Sequence, residues 1–272
     1  MRGGAAGALL ADDLAALARS RWLVTAVAAG ALLVVPAAAV AATHHGLARA
    51  DSYRQSAASL LLLGGLVVAI TLGATFVSLA TRRGLAGLLV ASGAERVELA
   101  IGRLAARTLV LLATLGAWTI ALQIGSAAIG RGADLPLAVH AGAMAENHLL
   151  VMLAAAAVGT IFGPAVAAIV ALVVWVVARS TVELHAAAEH GQLGSLANAA
   201  RIAYATLPRN VASPMIVAMQ SRAQGGPAAP RFEINNVPIP VPAAGPGTVL
   251  WTLAWCGLFA VLATRGLERR PL

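Results

Sequence analysis

Residues 147–178 read NHLLVMLAAAAVGTIFGPAVAAIVALVVWVVA, a run of about 32 residues with no Asp, Glu, Lys or Arg. As one helix this run would be roughly 48 Å long, too long for a single crossing of a hydrocarbon core about 30 Å thick at an ordinary tilt. Gly163 and Pro164 interrupt it near the middle, where a proline cannot continue the preceding turn. The run therefore divides into two spans, 144–163 and 164–180, joined by a tight turn. The number of spans in the whole chain depends on this division.

Working outward, four further stretches have the length of a crossing: 22–42, 59–80, 107–129 and 249–264. The expected fold class is all-α, a polytopic transmembrane bundle of six spans. An amphipathic stretch, ALLADDLAALARSR (8–21), precedes them and sets Leu10, Leu14 and Leu17 on one helical face opposite Asp12 and Arg19. It reads as a cytoplasmic interfacial helix within 1–21. A secretory signal with Ala-Val-Ala at 39–41 as its cleavage site is disfavoured by the two Asp residues and the amphipathic helix ahead of the apolar stretch. Spans one to five occupy 22–180, and 249–272 holds the last span and a tail. Between them, 181–248 is one long extracytoplasmic segment, helical at first and then, in FEINNVPIPVPAAGPG, too Pro-rich for helix and read as an extended arm.

Composition agrees. Of 272 residues 60% are hydrophobic and 11% charged, and the mean hydropathy is +0.83, whereas soluble domains carry roughly 25% charged residues. The formal charge of +8 does not point to nucleic acid, because the arginines sit in small groups at the ends of apolar runs. All 19 basic residues are Arg, so the lysine of a phosphate-cradling P-loop is absent and the chain does not hydrolyse ATP through such a motif. The lone Cys256 lies in an apolar run, which excludes a disulfide framework and a Cys-rich zinc module.

Arginine also sets the orientation. With the N-terminus inside, Arg2, Arg19, Arg21, Arg82, Arg83, Arg96, Arg103, Arg107, Arg265, Arg269 and Arg270 share one face, against Arg49, Arg54 and Arg131 in the short outer loops. Fusing spans four and five would reverse the last three of the inner set. Both termini are accordingly expected in the cytoplasm.

The stretch TRRGLAGLLVASGAERVELAIGRLAART (81–108) joins spans two and three within a cytoplasmic segment, 81–106. Leu85, Leu88 and Leu89 fall on one helical face. Ser92 and Glu95 have the spacing of a capping box, so a new helix is expected from about 93. Continued to 129, that helix would be roughly 55 Å long, with its first turns projecting from the membrane. An ordinary charged loop that only fixes orientation is the competing reading.

These residues resemble the type-2 family of ABC-transporter permeases, in particular the branch of nitrous-oxide-reductase maturation and gliding. The similarity rests on the Arg-rich ALARSRW before span one, then Arg82 and Arg83, Gly84-Leu85, Leu88-Leu89, Ser92 to Arg96, and Gly102-Arg103 in the family's order. The family's acidic pair is replaced here by Ala80 and Thr81 with Arg82 and Arg83, and its proline before Arg96 is absent. The resemblance implies a permease subunit in the bacterial cytoplasmic (inner) membrane that carries no cofactor of its own. ATP and Mg would be bound by a separate P-loop ATPase subunit, in a unit of two permeases, as a homodimer, and two ATPases. It further implies outward transport, an extracytoplasmic accessory protein as a possible partner, and an ATPase interface at Arg82, Arg83, Leu85, Leu88, Leu89, Ser92, Glu95 and Arg96.

Other chemistry is thin. His44, His45, His140, His148, His185 and His190 all fall at or near the outer side of this topology, and none completes a metal-ligand spacing. Glu146 and His148, near the outer end of span four, are the best remaining candidates for a proton or substrate contact, with residues that only mark the span boundary as the competing reading. With few ionisable residues deep in the spans, an ion-coupled secondary carrier is disfavoured. A stand-alone membrane enzyme or sensor acting through 181–248 remains the alternative of a different class.

Overall fold

The structure, a computed structural model, describes residues 22–77, 95–130, 132–211, 231–234, 237–240 and 245–269, with Gly7, Leu10, Ala11, Leu14 and Ala15. The helices are α1 (Trp22–Ala42), α2 (Gly46–Ala74), α3 (Arg96–Ala128), α4 (Leu135–Gly159), α5 (Pro164–Glu189), α6 (Ala197–Thr206) and α7 (Pro246–Glu268). A single 3₁₀ turn, Gly194–Leu196, precedes α6. The strands among the described residues are β1 (Arg231–Ile234) and β2 (Val237–Pro240), an antiparallel hairpin with Arg231 opposite Pro240. The extended arm expected from 232 onward thus folds back on itself.

Among the described residues five helices are long and apolar enough to cross a membrane: Arg49–Ala74 within α2, and α3, α4, α5 and α7. In α1 the apolar stretch Ala28–Ala42 is shorter. Ile169 and Val173 on α5, and Leu250 and Val261 on α7, are more than half exposed. Apolar faces this extensive are unfavourable in water and suit a hydrocarbon surround. The chain has the architecture of an α-helical membrane protein.

The division at Gly163-Pro164 matches the structure: α4 ends at Gly159, and α5 starts at Pro164 after an extended Gly163. Pro164 occupies the first turn of α5, where its missing N–H leaves no bond unmade.

Several boundaries differ from expectation, among them an end of α2 at Ala74 and not at 80. The second span was expected from 59, but α2 starts at Gly46 because Arg54 and Asp51 lie one turn apart and pair at 3.2 Å. Charges that read as a loop are paired on a helix. Similarly, α4 begins at Leu135 rather than 144, with Asp134 as its N-cap and Pro136 in the first turn. Glu95, expected at the third position of a capping box, is itself the N-cap of α3, extended at φ −73° and ψ 140°, so the helix starts at Arg96 and not at 93. Finally α5 runs to Glu189, past the expected end at 180, with Arg179 and Glu183 a turn apart at 3.7 Å.

At the centre of the bundle, α4 touches α2, α3, α5 and α7. Without a hydrophobic force between helices in lipid, close packing must come from small residues. Gly65, Ala69 and Gly73 supply them at i, i+4 and i+8 along α2. A Cβ at Gly73 would lie 2.3 Å from the Met152 carbonyl oxygen, and one at Gly65 would lie 2.7 Å from the His148 ring. Ala69 between them is fully buried. Glycine is required at both ends of this stripe because α4 backbone and imidazole occupy the space.

Candidate functional site

Polar side chains gather at three levels of the bundle. Consecutive long helices alternate in direction, so the N-terminus of α3 shares one end with the C-termini of α2 and α7, and the N-terminus of α4 lies at the other.

At the first end two arginines of α3 cap other helices. Arg107 donates through Nη1 to the Leu72 carbonyl and to Thr75 Oγ1 at 3.1 Å, and through Nη2 to the Thr75 carbonyl at 3.1 Å. Its guanidinium lies 5.6 Å from the Phe76 ring centroid. Arg96 donates to the Glu268 carbonyl at 2.9 Å, at the end of α7. The last carbonyls of a helix lack partners and carry partial negative charge, so a cation there both bonds and complements the dipole. Arg107 stands level with the end of α2, and residues 96–106 carry α3 roughly 16 Å further.

At the opposite end Asp134 is a junction. Arg54 Nε donates to its Oδ2 at 2.7 Å and its Oδ1 at 3.0 Å, with the two side chains 11% and 4% exposed. Asp134 Oδ1 also accepts from the Leu137 amide at 3.1 Å. Gln123 closes the junction from α3, accepting from the Asp134 amide and donating to its carbonyl, both at 2.7 Å. Nearby, Tyr53 donates to the Leu122 carbonyl at 2.8 Å. Helices α2, α3 and α4 are thus tied by bonds that satisfy every member, the condition under which buried charge is tolerated.

Between the ends lies a layer centred on Asn147. The segment after α6 returns into the bundle, where Pro208, Asn210 and Val211 are buried. Asn147 donates to Asn210 Oδ1 at 2.7 Å and accepts from the Val211 amide at 3.2 Å. The Asn210 amide donates to the Ala178 carbonyl at 2.9 Å, and Thr252 donates to the Arg209 carbonyl at 2.9 Å. Above this layer the His185 and Tyr204 rings stack 3.8 Å apart, and the Arg209 guanidinium lies 3.8 Å from the same tyrosine. The first part of 181–248 is accordingly packed onto α4, α5 and α7 by polar contacts.

The histidines differ in burial, with His185 half-buried. His44, His45 and His190 are exposed, as expected. His140 and His148 are fully buried. Because α4 starts at 135, Glu146 and His148 lie near its middle, which corrects their placement near the outer end of the span. His148 Nε2 is 3.0 Å from the Leu62 carbonyl, whereas both His140 ring nitrogens and Glu146 Oε1 are buried without a hydrogen-bond partner among the described residues. No group of three or more His, Cys, Asp or Glu with metal-binding geometry occurs among those residues.

Of the expected ATPase interface, Arg82, Arg83, Leu85, Leu88, Leu89 and Ser92 lie outside the described residues. Glu95 is exposed at the start of α3, and Arg96 is engaged with the end of α7. Of the expected interfacial helix, Leu10 and Leu14 are helical and half-buried, and Leu14 packs against the core. Leu17 lies outside the described residues.

The residues missed in the sequence were Asp134 and Asn147. Asp134-Leu135-Pro136 is a helix-start signal in its own right. A lone Asn in an apolar run points to an interhelical partner. No family model and no curated protein matches the chain.

Proposed function

We propose that this chain is the membrane-spanning permease subunit of an ABC transporter, driven by ATP hydrolysis on a separate P-loop ATPase. The observation that carries the reading is α3: its 33 residues make about 50 Å of helix, some 20 Å more than a bilayer core requires. The excess lies next to the 81–95 stretch that carries the family resemblance. Arg107 and Arg96 bind it to the ends of α2 and α7. Force delivered at the start of α3 would therefore move three helices together, which is what coupling to a separate motor requires. In this reading α1 is a sixth span, both termini face the cytoplasm of a bacterium's inner membrane, and two permeases assemble with two ATPases that carry ATP and Mg. The segment 181–248 faces outward, where an accessory protein has access to it.

The test is charge reversal at the proposed interface. R82E/R83E is expected to abolish co-purification of an ATPase with the intact chain while the variant still inserts in the membrane; undiminished ATPase recovery counts against the assignment.

An ion-coupled secondary carrier is the second reading, favoured by the fully buried His140 and the half-buried Glu146 within α4, since intramembrane ionisable residues commonly mark ion pathways. Uptake that is abolished by an uncoupler and indifferent to ATP would select it.

A further inference from the structure

The Arg96–Glu268 end of the bundle carries two apolar clefts that meet at one pair of arginines. The larger, of about 740 Å³, lies between α3, α4 and α7 and is walled by Ile101, Leu153 and Val261. The smaller, of about 500 Å³, lies on the other flank of α7 and is walled by Ile161, Phe259 and Leu262. Arg265 and Arg269 line both. Arg265 stands in the last turn of α7 and Arg269, four residues on, is the helix C-cap in αR backbone, so their side chains are neighbours. Both are exposed, and neither has a hydrogen-bond or ion-pair partner among the described residues. Glu268 also borders the larger cleft, but Arg96 lies beside it with its Nη1 on the Glu268 carbonyl. Positive charge prevails at the mouth.

We propose that this end of α7 is a binding site for an anionic phospholipid, with the phosphate on Arg265 and Arg269 and the acyl chains in the two flanking clefts. Charge and position choose the occupant. Apolar walls that end at two cations with no partner among the described residues match a molecule with a negative head and two greasy tails. Basic pockets between transmembrane helices recognise lipid head groups in this manner. Free phosphate would make no use of the walls. A two-fold related copy seated here would set its own arginine pair against this one, which opposes that arrangement. The inference needs only a membrane protein and does not rest on the transporter reading.

The experiment compares lipid retention by the purified full-length protein in detergent, measured by native mass spectrometry during exchange against phosphatidylglycerol or phosphatidylcholine. Wild type is expected to retain phosphatidylglycerol in preference to phosphatidylcholine. R265Q/R269Q should weaken that preference about thirtyfold, from roughly 1 kcal/mol for each arginine. R265K/R269K should largely restore it, which separates lost charge from misfolding. Ala105→Phe, which fills the larger cleft from α3, should reduce phosphatidylglycerol retention with both arginines in place. Equal retention of the two lipids, or a preference unchanged in R265Q/R269Q, would overturn the proposal. So would displacement of the lipid by millimolar inorganic phosphate, which would mark a simple anion site. Loss of a dimer in Ala105→Phe with the lipid preference intact would assign the clefts to a second copy and would also overturn it.

Discussion

Asn147 in the middle of α4 donates its amide N–H to Asn210 Oδ1 at 2.7 Å, and with its own Oδ1 it accepts the Val211 N–H at 3.2 Å. One side chain thereby satisfies both a side chain and a backbone group of a segment 63 residues away. Removing it leaves a buried amide N–H without its acceptor, and a buried group so stranded costs more than the bond itself was worth.

Asn147→Leu is therefore expected to destabilise the purified protein by about 1–3 kcal/mol. It should also increase proteolysis between α6 and α7. Thermal unfolding and limited trypsin digestion measure the two effects; a melting temperature and digestion pattern equal to wild type would mean the layer is not formed.

The Arg54–Asp134 junction should behave as a unit. Either Arg54→Gln or Asp134→Asn alone leaves a buried charge exposed to low dielectric and is expected to cost about 3–5 kcal/mol. The double variant should cost less than the sum of the two, because neither charge then remains alone. A double-mutant cycle on the melting curves checks this, and strictly additive losses would show that the pair is not formed.

At Gly73 a side chain has nowhere to go, since its first carbon would lie 2.3 Å from the Met152 carbonyl oxygen. Gly73→Val must separate α2 from α4 and is expected to cost 3 kcal/mol or more, about the upper range for overpacking. Gly116, which has open space around its Cβ direction, is the matched control. Gly116→Ala should be neutral or stabilising by about 1 kcal/mol, as for alanine in place of glycine inside a helix.

How much was legible in the sequence follows from what each signal depends on. The break at Gly163-Pro164 and the apolar helices were legible because they are local properties of length and proline chemistry. The starts of α2 and α4 were misplaced because Arg54 and Asp134 are polar in isolation and become tolerable inside the bundle through each other, 80 residues apart in the chain, while Asp51 is paired with Arg54 within α2. His148 was placed at a boundary for the same reason: the Leu62 carbonyl that receives it and the space at Gly65 belong to another helix. The arginines of α3 were read as orientation signals, and Arg96 also as an interface residue, whereas Arg96 and Arg107 close the ends of α7 and α2. Residues 81–94, which carry most of the motifs of the family resemblance, lie outside the described residues.

If α3 transmits force, its stiffness matters beyond its stability. Ile101→Pro, at an exposed position in the first turns of the helix, should kink it at a cost of about 3 kcal/mol. Capture of the ATPase is expected to persist, while stimulation of its activity by the permease should fall. Stimulation equal to wild type would deny α3 the role of lever.

The central claim, that this chain is the membrane half of a machine whose motor is another protein, is tested most directly by affinity purification from native membranes with quantification of the co-purifying chains. The account predicts a P-loop ATPase recovered at one copy per permease. Recovery of the chain without any ATPase, with ATP-independent transport by the chain alone in proteoliposomes, would contradict it.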